Sequence, residues 1–241
     1  MERFFQNGPS AIPWANLPRN ARVLAGADDG PDRPTVAGLL AFGKAPRTHL
    51  PSAYVDAAVY RGRALTSEDL AHSEQIRGRV DAQIDDATAF VECFMLKPAR
   101  KPAGREDHPQ YDIGAVHEAI VNAVAHRDYS IAGSKIRLFL FADRLELYSP
   151  GGLPNTLTIE TMPFRVFTRN QLLVSFLSRM KSRRTGRAFL ESRGEGVRRI
   201  LDASEAHSGH RPIYELFGEE LRLTIWAKPS PHDAPESSGE E

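Results

Sequence analysis

Apolar residues recur every three or four positions in four stretches of the chain, and this is the period of an amphipathic helix. The longest stretch covers residues 67–96, and the next covers residues 112–127 around the segment HEAIVNAVAHRDY. The apolar positions of the longest stretch are Ile76, Val80, Ile84, Ala87, Val91 and Phe94. Two shorter stretches read RNQLLVSFLSRM and GEGVRRILDASEA. The pattern therefore predicts four helices.

Other apolar runs have the length or the alternation of β-strands. The runs TVAGLLAFG and YVDAAVYRG predict two strands, separated by a loop that contains Pro46 and Pro51. The stretch SKIRLFLFADRLELYSPGG predicts a hairpin that turns at Asp143 and Arg144. A second hairpin is predicted for PIYELFGEELRLTIWA, turning near Gly218. Helices and hairpins in this order indicate an α/β or α+β domain.

The pattern divides the chain into four parts. Residues 1–34 are rich in Pro, Gly, Asn and Asp, which predicts an irregular N-terminal segment. Residues 35–107 form a connecting region of two strands, one long helix and the linker KPARKPAGREDHP. Residues 108–227 form the main domain, and residues 228–241 have so few apolar side chains that they predict a disordered tail.

Composition narrows the class of protein. The 241 residues include 31 Lys and Arg against 31 Asp and Glu, so no overall charge draws the chain to nucleic acid. The single cysteine, Cys93, excludes an intramolecular disulfide and favours a reducing compartment. No apolar run approaches the roughly 20 residues that a membrane helix needs. These features predict a soluble cytoplasmic protein.

Three polar residues stand at a strict spacing of four in the segment HEAIVNAVAHRDY: Glu118, Asn122 and His126. Because a helix turns about 100° per residue, steps of four drift by only about 40°, and the three side chains form one row. Val116, Ile120 and Val124 lie mostly beside this row. On spacing alone such a row is more typical of a solvated helix face than of a site.

Three further segments suit a nucleotide when they are taken together with this row. SPGGLP, residues 149–154, leaves a strand, and RGEG, residues 193–196, opens a helix, so backbone amides are free to approach phosphates. The basic stretch RMKSRRTGR, residues 179–187, offers cations for a terminal phosphate. Each segment also has a structural interpretation, as a turn, a helix start or a solvated loop.

Two short motifs are accidental. GLLAFGKA, residues 38–45, nearly matches a phosphate-binding loop, but Ala45 has no hydroxyl for magnesium and residues 39–42 are predicted to be a strand. HRD, residues 126–128, copies the start of a kinase catalytic loop, but Gly133 stands where that loop has an asparagine.

The stretch YDIGAVHEAIVNAVAHRDYSIAGSKIRLFLFADRLELYSPGGLPNTLT resembles the C-terminal domain of bacterial Schlafen/AlbA-type DNA-binding transcriptional regulators, also described as RecG-like helicase-related proteins. That domain is similar to the GHKL ATPases. The resemblance implies a GHKL (Bergerat-type) α/β sandwich, in which helices cover one face of a mixed sheet. It also implies an ATP site with Mg²⁺.

The roles that the resemblance implies are as follows. Glu118 would be the base that activates water, and Asn122 the residue associated with magnesium. Gly151 and Gly152 would form the first glycine box, and Gly194 and Gly196 the second. The segment between the boxes, which contains Arg169, would be the ATP lid. His126, Ser149 and Arg169 would complete the nucleotide contacts.

The sequence departs from the family pattern in two ways. GHKL proteins carry an aspartate that accepts a hydrogen bond from the adenine amino group, and the matching position here is Ser149. Asp143 is no substitute, because six strand residues separate it from Ser149 by roughly 20 Å. The second departure is that the usual AlbA-type DNA-binding domain is not found, which predicts a truncated form. No helicase motor is visible.

These observations support three hypotheses. The first is a Mg-ATP-binding domain with slow or no hydrolysis, acting as the nucleotide switch of a DNA-binding regulator whose DNA contacts lie in the missing domain. The second is a degenerate scaffold that has lost ATP and acts through homodimerisation or DNA contact, using the apolar stripe of residues 67–96. The third and weakest is direct DNA binding by residues 179–187.

Overall fold

The computed structural model describes residues 17–27, 30–95, 99–100, 106–107, 109–154, 156–190 and 194–229. Its helices are α1 (Leu17–Asn20), α2 (Val36–Phe42), α3 (Val80–Phe94), α4 (Ile113–His126), α5 (Gln171–Leu177) and α6 (Gly196–Ser208). Its strands are β1 (Leu24–Ala27), β2 (Gly30–Pro34), β3 (Val55–Tyr60), β4 (Leu70–Ile76), β5 (Ala99–Arg100), β6 (Glu106–Asp107), β7 (Ile136–Leu140), β8 (Arg144–Pro150), β9 (Ile213–Phe217) and β10 (Glu220–Trp226). Short 3₁₀ turns occupy Pro46–Thr48 and Met162–Phe164.

Six strands form one mixed sheet in the order β4-β3-β7-β8-β10-β9. The pair β3 and β7 is parallel, and its neighbours in the sheet pair antiparallel. Both predicted hairpins, β7–β8 and β9–β10, are confirmed, and Arg137 pairs with Tyr148 across the first of them. The parallel pair requires a crossover, and α3 and α4 lie within it.

The core lies between the sheet and the helices. Alternate strand residues such as Leu138, Leu147 and Leu223 point to this side, and α4 meets them with Val116 and Val124. The opposite face of the sheet carries a smaller cluster of Ala58, Phe139 and Phe141, partly covered by Tyr60 and Tyr148. This arrangement is the predicted sandwich, a mixed sheet with helices on one face.

The prediction of a strand for TVAGLLAFG is wrong, because Val36–Phe42 is helix α2. Thr35 caps this helix, and its hydroxyl accepts a hydrogen bond from the Gly38 amide at 2.9 Å. Leu40 and Ala41 are buried on its inner face. A short apolar run without alternation does not distinguish helix from strand, and here the threonine cap and tertiary packing favour the helix.

The prediction of one helix over residues 67–96 is half wrong. Leu70–Ile76 is strand β4 at the sheet edge, and α3 begins only at Val80, after Gly78 with its φ of +105°. The helical period of apolar positions begins only at Ile76, so pairing with β3 decides the structure of residues 70–75. The apolar stripe of α3 lies in the core, with Val80, Ile84 and Ala87 fully buried. It is therefore not a free surface for a partner.

The N-terminal segment is more regular than predicted. Among residues 17–34, α1 is followed by the antiparallel pair β1–β2. The predicted linker includes the short pair β5–β6. The predicted disordered tail lies outside the described residues from position 230 onward. The predicted boundary at residue 107 stays a prediction, although β3 and β7, from its two sides, share one sheet.

None of the helices in the described ranges is long and apolar enough to cross a membrane.

Candidate functional site

Helix α4 separates its apolar and polar residues as the sequence predicts. Asp112 caps it by accepting a hydrogen bond from the Ala115 amide at 2.7 Å. Val116, Ile120 and Val124 are buried in the core, whereas Glu118, Asn122 and His126 are half-buried on another side. The polar row therefore faces a space that the core does not fill.

That space is a cavity of about 430 Å³ between α4, β8, the start of α6 and the segment that follows β8. Its volume lies within the range of small-molecule sites. All nine residues predicted for the site line it: Glu118, Asn122, His126, Ser149, Gly151, Gly152, Arg169, Gly194 and Gly196. The remaining wall is mostly apolar and includes Leu147, Leu157 and Val174. The structure brings these nine residues together, while their individual roles stay predictions.

The first glycine pair, Gly151 and Gly152, has two different environments. Gly151 has a φ of +113°, and a Cβ there would lie 2.8 Å from Asp128 Cβ and 3.3 Å from Arg169 Cζ. Gly152 has no positive φ, and a Cβ there would meet nothing within 4 Å. Position 151 therefore requires glycine, because its φ is positive and there is no room for a Cβ. Position 152 has neither requirement.

Asp128 and Arg169 join the end of α4 to the segment before α5. Arg169 Nη1 donates to Asp128 Oδ2 at 2.5 Å, and its Nη2 donates to the Gly152 carbonyl. The Ser130 amide and hydroxyl donate to Asp128 Oδ1 at 2.9 and 2.6 Å. The Ser130 hydroxyl and then the Arg169 charge hold the pKa of Asp128 below its usual range. Asp128 is therefore an ionised and well-fixed partner of Arg169.

Asn170, the neighbour of Arg169, closes the C-terminal end of α4. Its Nδ2 donates to the Ala125 carbonyl at 3.0 Å and to the Arg127 carbonyl at 2.8 Å. These are helix-terminal carbonyls that otherwise lack a partner in the helix. Arg127 itself is buried and donates to the Ser134 carbonyl at 2.5 Å. The residues around the end of α4 thus fix one wall of the cavity.

The second glycine pair lies where α6 begins. Gly194 has a φ of +67°, and a Cβ there would overlap Val166. A Cβ at Gly196 would overlap Glu118 Oε1 and lie 3.1 Å from Asn122 Nδ2. Gly196 is the first residue of the 13-residue helix α6, so its positive end faces the Glu118 carboxylate. Glycine at position 196 permits this close approach.

The charges in the cavity are unevenly distributed. Glu118 is the sole acidic side chain among the described lining residues, while Arg165 and Arg169 provide positive charge. Burial, and then the Glu118 charge, raises the pKa of Tyr214 well above its ordinary value, so its phenol stays neutral. Burial, and then the Arg169 charge, lowers the pKa of His126. His126 is therefore a neutral imidazole at pH 7.

The basic segment of residues 179–187 does not line the cavity. It is attached to α3 instead: Arg184 pairs with Glu92, and the Ser182 hydroxyl donates to the buried Asp85 at 2.6 Å. The predicted contact of this segment with a terminal phosphate has no support in this arrangement. Among the described lining residues, the cations are Arg165 and Arg169.

Sequence reasoning missed Arg165, Asp128, Asn170 and Tyr214. Two of them had a recognisable signal: Asp128 follows a helix and stands two residues before Ser130, as in an Asx turn, and Asn170 directly precedes a helix. Tyr214 and Arg165 have no such signal in the sequence, because they are distant from α4 in the chain and lie near it only in the folded structure.

We expect His126 to make the fold less stable in acid. Because the folded pKa lies below the ordinary value of about 6.5, the unfolded chain takes up a proton first as the pH falls. The contribution of His126 is therefore fully present above about pH 6.5 and is lost below it. His126→Gln should flatten the curve of unfolding free energy against pH between 7 and 5, measured by urea denaturation.

His117 provides the comparison for this experiment. Burial also lowers the pKa of His117, so His117→Gln should remove a separate part of the same acid sensitivity. Curves for wild type and His126→Gln that run parallel from pH 7 to 5 would contradict the expectation.

Residues 133–225 match the family model described as "Putative ATP-dependent DNA helicase recG C-terminal". This match confirms the resemblance to RecG-like proteins over those residues. No curated protein matches the chain.

Among solved structures, one similar chain is the DIP2311 protein from Corynebacterium diphtheriae, with a TM-score of 0.68 and 19% sequence identity. The alignment covers 93% of this chain and 43% of that one, so this chain spans less than half of its length. At this identity the likeness concerns the fold alone.

Proposed function

We propose that the cavity binds a nucleoside triphosphate with Mg²⁺, ATP in the first instance, and that the chain is the nucleotide-binding part of a DNA-associated regulator. The observation that carries this proposal is the contact at Gly196. There a carboxylate and an amide on one helix meet the glycine at the start of another, beside a cavity of suitable volume. The positive end of a helix favours phosphate.

The residues that line the cavity would hold Mg²⁺ only together with the phosphates of a bound nucleotide. In the described part of the chain, no three His, Cys, Asp or Glu side chains come together as a preformed metal cluster. Mg²⁺ usually keeps several waters and takes phosphate oxygens with one or two protein ligands. Asn122 would hold it through the amide oxygen, and the bound ion would neutralise phosphate charge.

Glu118 is the proposed general base. Its carboxylate lies on the same face as Asn122, one turn earlier, and is the acidic group of the described cavity lining. A carboxylate in this position can polarise a water molecule for attack on a terminal phosphate. Hydrolysis, if the chain carries it out, would be slow, and the nucleotide would act as a switch.

A cytoplasmic location belongs to the same proposal, whereas homodimerisation or direct DNA contact by this chain belongs to the alternative scaffold. For DNA, the 179–187 segment is weakened as a candidate because Arg183 and Arg184 lie beside carboxylates of α3. For a dimer, the edge strand β9 exposes Ile213, Leu216 and Phe217. This apolar edge favours the second candidate function, a scaffold that associates with a partner and does not use ATP.

Thermal unfolding with and without Mg-ATP tests the proposal. Ligand at about a hundred times its dissociation constant should add roughly 2.7 kcal/mol, which for a chain of this size raises the melting temperature by roughly 5 to 10 °C. Asn122→Ala should lose most of this shift, and so should wild type with a chelator. Asn20→Ala, outside the cavity lining, should keep it.

An absent shift in wild type would refute nucleotide binding. Together with a concentration-dependent dimer in sedimentation, that result would favour the scaffold. An equal shift in wild type and Asn122→Ala would place the nucleotide elsewhere.

A further inference from the structure

The two edges of the six-stranded sheet have opposite character. Edge strand β4 has the mostly polar sequence LAHSEQI, and its register against β3 shifts at Tyr60. Polar side chains and irregular pairing are common protections of an edge strand against other chains. Edge strand β9 has the sequence IYELF, and its register against β10 is regular from end to end. The edge at β9 therefore has one charge, Glu215, as its protection.

The exposed side chains of β9 are mostly apolar. Among the described strands, only β10 pairs with β9, so its other edge carries no strand. Three apolar side chains of β9 are between 43% and 49% exposed, and they are Ile213, Leu216 and Phe217. An exposed apolar edge of this kind is a template for pairing with a further strand.

The backbone of β9 points its hydrogen-bonding groups outward at two positions. A turn of two residues, 218–219, joins β9 to β10, and Phe217 pairs with Glu220 across it. Residues that flank such a turn exchange both backbone hydrogen bonds, and the direction of the backbone groups then alternates along the strand. The N–H and C=O groups of Tyr214 and Leu216 therefore point away from β10, where a further strand would meet them.

The sequence of β9 is complementary to itself. If two copies of β9 pair antiparallel about Glu215, Ile213 of each copy lies opposite Phe217 of the other. Tyr214 then lies opposite Leu216, so the outward backbone groups of these two residues pair with each other. Aromatic side chains opposite β-branched ones are favourable cross-strand pairs. The strand thus fits a second copy of itself in both side chains and backbone.

Neighbouring registers fit less well. Moving the centre of the pairing by one residue would place Glu215 opposite an apolar side chain, Ile213 in one direction and Phe217 in the other. The register about Glu215 has a cost of its own, because the two Glu215 carboxylates meet. Each carboxylate already has a partner in its own copy, since Arg222 Nη2 donates to Glu215 Oε2 at 2.6 Å. This ion pair reduces the repulsion between the two copies.

From these features we infer that β9 binds β9 of a second copy of the chain, antiparallel and centred on Glu215. The two six-stranded sheets then join into one, with the helices of both copies on the same face. The pairing uses the outer edge of β9, so it is compatible with a nucleotide in the cavity as well as with the scaffold. A five-residue strand buries less than the roughly 1,600 Å² of a standard interface, so the dimer should be weak, with a micromolar dissociation constant.

Cysteine cross-linking tests both the partner and the register. Opposite residues that are not a hydrogen-bonded pair have Cα atoms about 4.5 Å apart, a distance that a disulfide can span. The exposed Cys93 is first replaced by serine. In this background, Glu215→Cys should form a disulfide-linked dimer under mild oxidation. Ile213→Cys should not, because the two copies of position 213 lie four residues, or roughly 13 Å, apart along the strands. Ser73→Cys, on the other edge strand, is the control and should stay monomeric.

Sedimentation equilibrium of the full chain measures the strength of the dimer. Glu215→Gln should lower the dissociation constant by about twofold to fivefold, because it removes like charges that lie opposite each other. Ile213→Lys should raise it by about tenfold or more, because it breaks both pairs between Ile213 and Phe217. Ile213 is 43% exposed, so the folded monomer should tolerate lysine there, and circular dichroism checks this.

Three results would overturn the inference. They are a wild-type chain that stays monomeric at several hundred micromolar, equal rates of cross-linking at positions 215, 213 and 73, and a dimer that Ile213→Lys leaves unchanged. The nucleotide proposal is tested separately, by the effect of Mg-ATP on the melting temperature. Either proposal can therefore fail while the other stands.

Discussion

Gly151→Ala is expected to lower the free energy of unfolding by on the order of 3 kcal/mol. The φ of +113° at this position is strained for any residue with a side chain, and the new methyl group would lie 2.8 Å from Asp128 Cβ and 3.1 Å from its backbone nitrogen. The backbone nitrogen cannot move away easily, because it donates to the Pro150 carbonyl at 2.7 Å. Urea denaturation measures the loss.

The same change should disturb the site. The methyl group would also lie 3.3 Å from Arg169 Cζ and so would press on the Asp128–Arg169 ion pair. Any nucleotide-dependent rise in melting temperature should therefore shrink in a variant that still folds.

Gly152→Ala is the matched control, one residue further along the chain. A Cβ there meets nothing within 4 Å, and the backbone has no positive φ. Stability should stay within about 1 kcal/mol of wild type, with a slight gain if the unfolded chain becomes stiffer. Equal losses at both positions would mean that the ion pair and backbone at Gly151 are not the cause.

Glu118→Gln is the second change with a large expected effect. If the chain hydrolyses ATP, the turnover should fall by at least about a hundredfold, because the amide cannot accept a proton from the attacking water. Binding of Mg-ATP should persist, since Asn122 and the start of α6 are unchanged. Phosphate release under single-turnover conditions and the thermal shift measure the two effects separately.

The control for Glu118→Gln is Glu195→Gln. Glu195 is the N-cap residue of α6, so its replacement removes a negative charge near the same helix start but outside the cavity lining. Turnover should stay within about twofold of wild type. If Glu195→Gln abolished hydrolysis, or Glu118→Gln left it intact, Glu118 would not be the base.

Much of the site could be predicted from the sequence because its residues are local in the chain. The row of Glu118, Asn122 and His126 follows from helical period alone, and the cavity lies on the face where the row points. The sequence also indicates that the backbone amides of both glycine pairs can approach phosphates. The sequence did not distinguish Gly151, which the packing requires, from Gly152, which it does not.

Other parts of the site depend on contacts between distant segments. Arg169 meets Asp128 across 41 positions of the chain, and Asn170 reaches the Ala125 carbonyl across 45. No local pattern encodes such a pairing. The prediction that residues 179–187 offer cations to a phosphate is unsupported for the same reason. The charge of this segment is visible in the sequence, whereas its ion pair with α3 is not.

The sequence by itself determined the elements whose hydrophobic period is long and unbroken, which are α4, α6 and the two hairpins. It also determined the row of polar side chains on α4. Tertiary structure decided the rest. It made Val36–Phe42 a helix through the Thr35 cap and burial of Leu40, and it made Leu70–Ile76 an edge strand through pairing with β3. Short or mostly polar segments have nearly equal local preferences for helix and strand, so the energy of packing and pairing with distant residues selects between them.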